Sequence, residues 1–115
     1  MEKTLTIDGK QVRFKSTAAT PLRYKAQFGR DFFTDLLKMY PLTKVKLNTD
    51  NLDYEALKLI DFEMFYNIIW VLAKTADKSI PEPLEWLDGF SEFPITEILP
   101  ELQELIAASF QGKKK

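Results

Sequence analysis

Neither cysteine nor histidine occurs among the 115 residues. That double absence excludes disulfides, thiolate nucleophiles, histidine-based triads, haem ligation and Cys/His zinc sites, and with them most familiar hydrolase and metalloenzyme mechanisms. The four glycines, Gly9, Gly29, Gly89 and Gly112, stand alone in the chain. No glycine-rich loop is therefore present to cradle a phosphate, which argues against a nucleotide or dinucleotide site. The longest uninterrupted apolar run, Ile68 to Ala73, falls far short of the roughly 20 residues that span a bilayer, so no membrane helix is expected. Met1-Glu2-Lys3-Thr4 lacks the apolar stretch of about 7 to 15 residues that a secretion signal carries, which predicts a cytoplasmic location. An excess of positive charge is missing too. With 16 basic against 17 acidic side chains and a pI near 5.5, no continuous basic stripe is available, and nucleic acid is not an expected partner.

What is present describes one globular domain over residues 1–112 with a basic tail at 113–115. Hydrophobic residues make up 45% of the chain and aromatics 13%. A chain of this length buries about two-thirds of its unfolded surface, enough for a self-sufficient core. Charge is uneven along it. Residues 1–46 carry ten basic and four acidic side chains, whereas residues 47–112 carry three basic and thirteen acidic. Such a split either neutralises within one fold or steers association with a partner, including another copy of the chain.

The opening alternates on both sides of Asp8-Gly9: Leu5 and Ile7 before it, Val12 and Phe14 after it. A two-residue turn pairs Ile7 with Lys10, Leu5 with Val12 and Lys3 with Phe14, so all four apolar residues share one face of a β-hairpin spanning 3–15. A lone hairpin is marginal in water, and a helix is expected to cover that face. Thr20 as N-cap and Pro21 as first helical residue predict a helix to Phe28, stopped by a left-handed Gly29. Asp31 precedes Phe32, Phe33, Leu36, Leu37 and Tyr40 at helical spacing, ended by Pro41. Residues 42–51 lack periodicity and read as a loop.

From Asp53 to about Ala76 the pattern is apolar nearly all round, with Glu63, Asn67 and Lys74 as a narrow polar stripe and Asp61 as an exception near Lys58. This predicts a long central helix packed on several sides, with Leu57, Met64, Phe65, Ile68, Ile69, Val71 and Leu72 in the core. Pro81 and Pro83 break the pattern, and Leu84 to Asp88 make one or two helical turns stopped by Gly89. The last helix, from Pro94 or Thr96, sets Ile95, Ile98, Leu99, Leu102, Leu105, Ile106 and Phe110 opposite Glu97, Glu101 and Glu104, with a kink or restart at Pro100. The fold class is mainly α with an N-terminal β-hairpin, a small α+β domain of about five helices around one long central helix.

Asp50 with Asp53, and Glu82 with Glu85, are the carboxylate pairs, but their spacing suits capping and surface duty. Asp50-Asn51-Leu52-Asp53 lacks the ligand series of a calcium loop. No catalytic, cofactor or metal residues are assigned. Elimination leaves a non-enzymatic, α-rich binding module. Trp86, Leu87, Phe90 and Phe93 form either a lid on the core or a set of anchors for a partner.

The order of these features resembles the tail assembly chaperones of long-tailed bacteriophages and prophages of Gram-positive bacteria. The resemblance rests on the hairpin around Ile7-Asp8-Gly9-Lys10, the run Tyr24-Lys25-Ala26-Gln27-Phe28-Gly29-Arg30-Asp31, the aromatic helix through Trp70, the run Glu85-Trp86-Leu87-Asp88-Gly89-Phe90 and the terminal amphipathic helix. It implies a small protein that binds the tape measure protein, keeps it soluble and recruits tail tube subunits in the host cytoplasm, and that is absent from the mature virion. It further implies a longer form made by −1 frameshifting, for which the A-rich codons of Lys113-Lys114-Lys115 offer a slippery stretch. The alternative is a helical protein–protein adaptor of phage or bacterial origin without a chaperone role, and self-association is compatible with either. Client helices would dock in apolar grooves of the last helix and the 86–93 segment. The expected partner-binding residues are Trp86, Phe90, Phe93, Leu102 and Phe110.

Overall fold

The structure, a computed structural model, describes residues 2–37 and 62–111; within these, the side chains of Phe62, Thr96 and residues 108–111 are left undescribed. The expected loop at 42–51, the cap at Asp53, Leu57, Tyr40, Pro41 and the Asp61 exception all fall outside the described residues. Strands β1 (Glu2–Ile7) and β2 (Lys10–Lys15) form a two-stranded antiparallel sheet in the register read from the sequence, Ile7 opposite Lys10, Leu5 opposite Val12 and Lys3 opposite Phe14. Asp8 and Gly9 both have positive φ, 55° and 75°, the type I′ turn whose twist matches that of the strands. Ile7 and Phe14 are buried, while Leu5 and Val12 pack half-buried against the core.

Helix α1 (Thr20–Phe28) starts one residue earlier than expected, with Ala19 at the N-cap and no side-chain cap. Thr20 is therefore not the cap. Its buried hydroxyl instead accepts the Thr17 N–H at 3.0 Å and lies 3.4 Å from the Thr75 hydroxyl, and the Thr17 hydroxyl accepts the Ala19 N–H at 3.2 Å. Gly29 closes the helix in the left-handed conformation (φ 69°), its N–H donating to Lys25 O at 2.8 Å. Asp31 then caps the helical segment 32–37, its Oδ2 accepting both the backbone N–H and the hydroxyl of Thr34 at 2.8 and 2.7 Å.

This region closes on a buried carboxylate. Asp35 is almost fully enclosed; its Oδ2 accepts the Tyr24 hydroxyl at 2.6 Å, and the Arg30 guanidinium bonds both oxygens at 2.8 and 2.9 Å. A fork of this kind supplies the charge-assisted bonds without which a buried carboxylate is costly. The Tyr24 to Asp31 run thus acquires a physical meaning: Tyr24 and Arg30 grip one acid, Gly29 makes the turn between them, and Asp31 starts the next helical segment.

Helix α2 (Phe62–Ala76) buries Met64, Phe65, Ile68, Ile69, Trp70, Val71, Leu72 and Ala73, as the all-round apolar pattern requires. Its described length is 15 residues, and the longer helix anticipated back to Asp53 is not established. Asn67, expected on the polar stripe, is buried; Glu63 is exposed and Lys74 half-buried. Strand β2, α1, and the later helices α3 (Pro83–Asp88) and α4 (Ile95–Glu101) pack against α2. Helix α5 (Gln103–Gln111) follows a break at Leu102, so the last helix restarts three residues beyond Pro100, whose missing N–H and ring interrupt the ladder. Ile95, Ile98, Leu102, Leu105 and Ile106 line the buried side, with Glu97, Glu101 and Glu104 exposed.

Asp35→Ala is expected to cost about 3 kcal/mol in urea unfolding, the low end for breaking a buried ion pair because Arg30 keeps 42% of its side chain in solvent. Asp35→Asn, which retains an acceptor oxygen and the volume, should cost less.

Candidate functional site

The aromatic segment after α3 is where four elements meet. Trp86 rests with its ring 5.2 Å from Phe90 and 5.7 Å from Phe93; Phe90 and Phe93 are 5.4 Å apart, and Phe93 reaches Tyr66 of α2 at 5.7 Å. The three pairs among Trp86, Phe90 and Phe93 are edge-to-face, an arrangement that adds about 0.5–1.5 kcal/mol each beyond the buried area, and the Tyr66 pair is tilted. Gly89 ends α3 without a left-handed conformation; its φ is −77° and its N–H bonds Trp86 O. A Cβ there would lie 3.3 Å from that same carbonyl, so the turn is tight at this residue.

The hairpin tip holds the segment from outside. Asp8 Oδ2 accepts the Ser91 N–H at 2.8 Å, and the Lys10 ammonium donates to Gly89 O while standing 5.1 Å from the Phe90 ring centroid. Further along β2, Arg13 donates to Ala76 O at 2.8 Å, placing a cation on the C-terminal carbonyls of α2. Lys3 pairs with Glu101 at 3.0 Å. Between β2, the end of α2 and the aromatic segment lies a cleft of about 240 Å3, with Lys10, Val12, Arg13, Asp77, Trp86 and Phe90 among its walls. The turn below it is self-bonded: Asp77 Oδ1 accepts the Ser79 hydroxyl and N–H, Lys74 donates to Lys78 O and Ile80 O, and the Trp70 indole N–H bonds Pro81 O at 2.9 Å.

Of the five residues expected to bind a partner, Trp86 is 8% exposed and Leu102 fully enclosed, so both are packed into the core. Phe90 and Phe93 are half-buried and keep part of their rings at the surface. The backbone of Phe110 belongs to α5, and its side chain lies outside the described residues. The structure therefore brings Trp86, Phe90 and Phe93 together and sets Leu102 in the interior. The sequence places Asp8 and Lys10 at the hairpin turn but carries no sign of the bonds that they and Arg13 make to the rest of the fold. Their partners lie 83, 79 and 63 residues away, and no local pattern announces such pairs.

Of the two carboxylate pairs read from the sequence, Asp50 with Asp53 lies outside the described residues. Glu82 and Glu85 are both exposed, and Glu82 accepts a surface bond from Gln27 at 3.2 Å. Among the described residues no group of three or more acids could hold a metal ion, and no helix is long and apolar enough to cross a membrane. The Ser79 hydroxyl and backbone N–H hold Asp77 below its ordinary value of 3.8, and the Thr34 hydroxyl and N–H do the same for Asp31. No protein-family model matches the chain, and neither a curated protein nor a solved structure is similar to it at a significant level.

Two outcomes follow. Trp86→Ala should lower stability by about 3–5 kcal/mol in chemical denaturation, as expected for emptying a large core site, and Phe93→Ala by distinctly less. Each depressed acid favours the folded state above the unfolded value near 3.8 and loses that contribution as pH falls through its folded pKa. Carboxyl NMR titration should accordingly find Asp31 and Asp77 below 3.8, with Ser79→Ala returning Asp77 towards it.

Proposed function

We propose that this chain is a non-enzymatic binding module, and specifically a tail assembly chaperone of a long-tailed phage or prophage. In this reading it holds the tape measure protein in solution and recruits tail tube subunits in the host cytoplasm, and it does not enter the mature virion. The observation that carries the binding part is the state of Phe90 and Phe93. Both rings are anchored on Trp86 yet half-open to the surface, on a stretch whose Glu85, Asp88, Glu92 and Glu97 are all exposed. No basic residue occurs between Lys78 and Lys113. Aromatic edges bordered by carboxylates suit the apolar face of an amphipathic client helix that carries basic flanks.

The phage assignment draws its support from the resemblance carried by the Tyr24 to Asp31 and Glu85 to Phe90 runs. Burial alters the set of anchors: Trp86 supports the surface from beneath and Leu102 belongs to the interior, whereas Phe90 and Phe93 would touch the client.

Coexpression with segments of a tape measure protein tests the proposal. The chaperone should raise the soluble yield of a segment that is insoluble alone, and Phe90→Ala with Phe93→Ala should weaken that complex by about 30-fold or more, the loss typical of hot-spot residues. Affinity should also fall as salt rises. A chain that binds helices without changing client solubility would be an adaptor, and the chaperone reading would be lost.

A further inference from the structure

Residues 89–93 connect α3 to α4 as a strap across the aromatic cluster. Its own backbone bonds are local: Gly89 N–H to Trp86 O and Phe90 N–H to Leu87 O. Among the described residues, the hydrogen bonds joining it to another element are two, and both come from the hairpin tip, Asp8 to the Ser91 N–H and Lys10 to Gly89 O. Both are exposed, where water competes for the partners, so each holds the strap with no more than the net worth of one ordinary hydrogen bond. Beneath the strap, Trp86 and α2 belong to the buried core, and the cleft along β2 already separates the strap from the end of α2.

We propose that the hairpin tip is a latch: Asp8 and Lys10 hold the 89–93 strap closed over Trp86, and the strap opens as a local unit while the hairpin and α2 stay folded. Local opening of this kind belongs to segments tied down by exposed bonds, and the strap's Phe90 and Phe93 are only half-buried. The turn residue is well chosen for it. Asp tolerates the positive φ that the type I′ turn requires, and its carboxylate is carried out to the Ser91 amide by that same turn. Opening would bare the Trp86 ring and the inner edges of Phe90 and Phe93. The latch does not rest on client binding, because it is read in the free protein.

Amide hydrogen exchange on the full chain tests it. Asp8→Gly preserves the turn, since glycine adopts positive φ at no steric cost, and removes the carboxylate. Lys10→Met leaves the turn untouched and removes the ammonium while keeping the stem beside Phe90. Each variant is expected to speed exchange at Ser91 by about tenfold, the factor corresponding to loss of roughly one hydrogen bond, while the amides of Ile68 to Leu72 keep their rates. Ser91 exchanging at the rate of the α2 amides in the unaltered protein would overturn the proposal. So would acceleration of Ser91 and α2 in parallel, because the strap would then open only with global unfolding.

Discussion

A helix that is apolar on nearly every side cannot stand in water, and the described architecture is an answer to that constraint. Each neighbour of α2 covers a different sector: β2 lays Phe14 against it, α1 brings Tyr24 and Phe28, α3 brings Trp86, and α4 brings Ile95 and Ile98. None of these covers is self-sufficient. A two-stranded sheet is marginal alone, and helices of six to nine residues are too short to persist without packing. The cooperativity of the domain follows from this, since removing one cover exposes both its own apolar face and that of α2.

The polar contacts arrange the covers. Asp35 fixes the angle between α1 and the segment that follows, because one carboxylate accepts from residues on either side of the Gly29 turn. Arg13 joins the sheet to the C-terminus of α2, and the Trp70 indole joins α2 to the chain entering α3. Ring contacts continue the line, from Tyr24 through Phe28 to Trp70. A few directional bonds thus set the geometry of surfaces that hydrophobic burial alone would leave free to slide.

What was legible in the sequence was whatever repeats at a local period. Alternation around Asp8-Gly9 fixes the hairpin register, since a slip of one residue would turn Ile7 and Phe14 to solvent. The all-round apolar run marks α2, and Pro100 marks the restart before α5. Two local signals misled. Thr20 has the chemistry of a cap but is drawn inward by Thr75, and Asn67 sits at an angle that reads as polar until the neighbouring covers enclose it. Long-range pairs left no trace, and the aromatic segment illustrates the limit most sharply. Trp86, Phe90 and Phe93 have the same composition whether they form a lid or a docking surface, and only their unequal burial separates the support from the rim.

The hairpin's attachments have a consequence for how the protein is made. Its bonds reach forward to Ala76, Gly89 and Ser91, separations of 63, 79 and 83 residues. During translation the first strands therefore leave the ribosome long before the surface they cover exists. Phe14 lacks the α2 surface that β2 packs against until residues 62–76 have been made, and the bonds of the hairpin tip wait for residues 89–91. Non-local closure of this kind slows folding and lengthens the interval in which a sticky edge can meet another nascent chain. Charged and polar residues at Glu2, Thr4, Thr6, Gln11, Arg13 and Lys15 on the opposite face of the two strands keep that interval survivable.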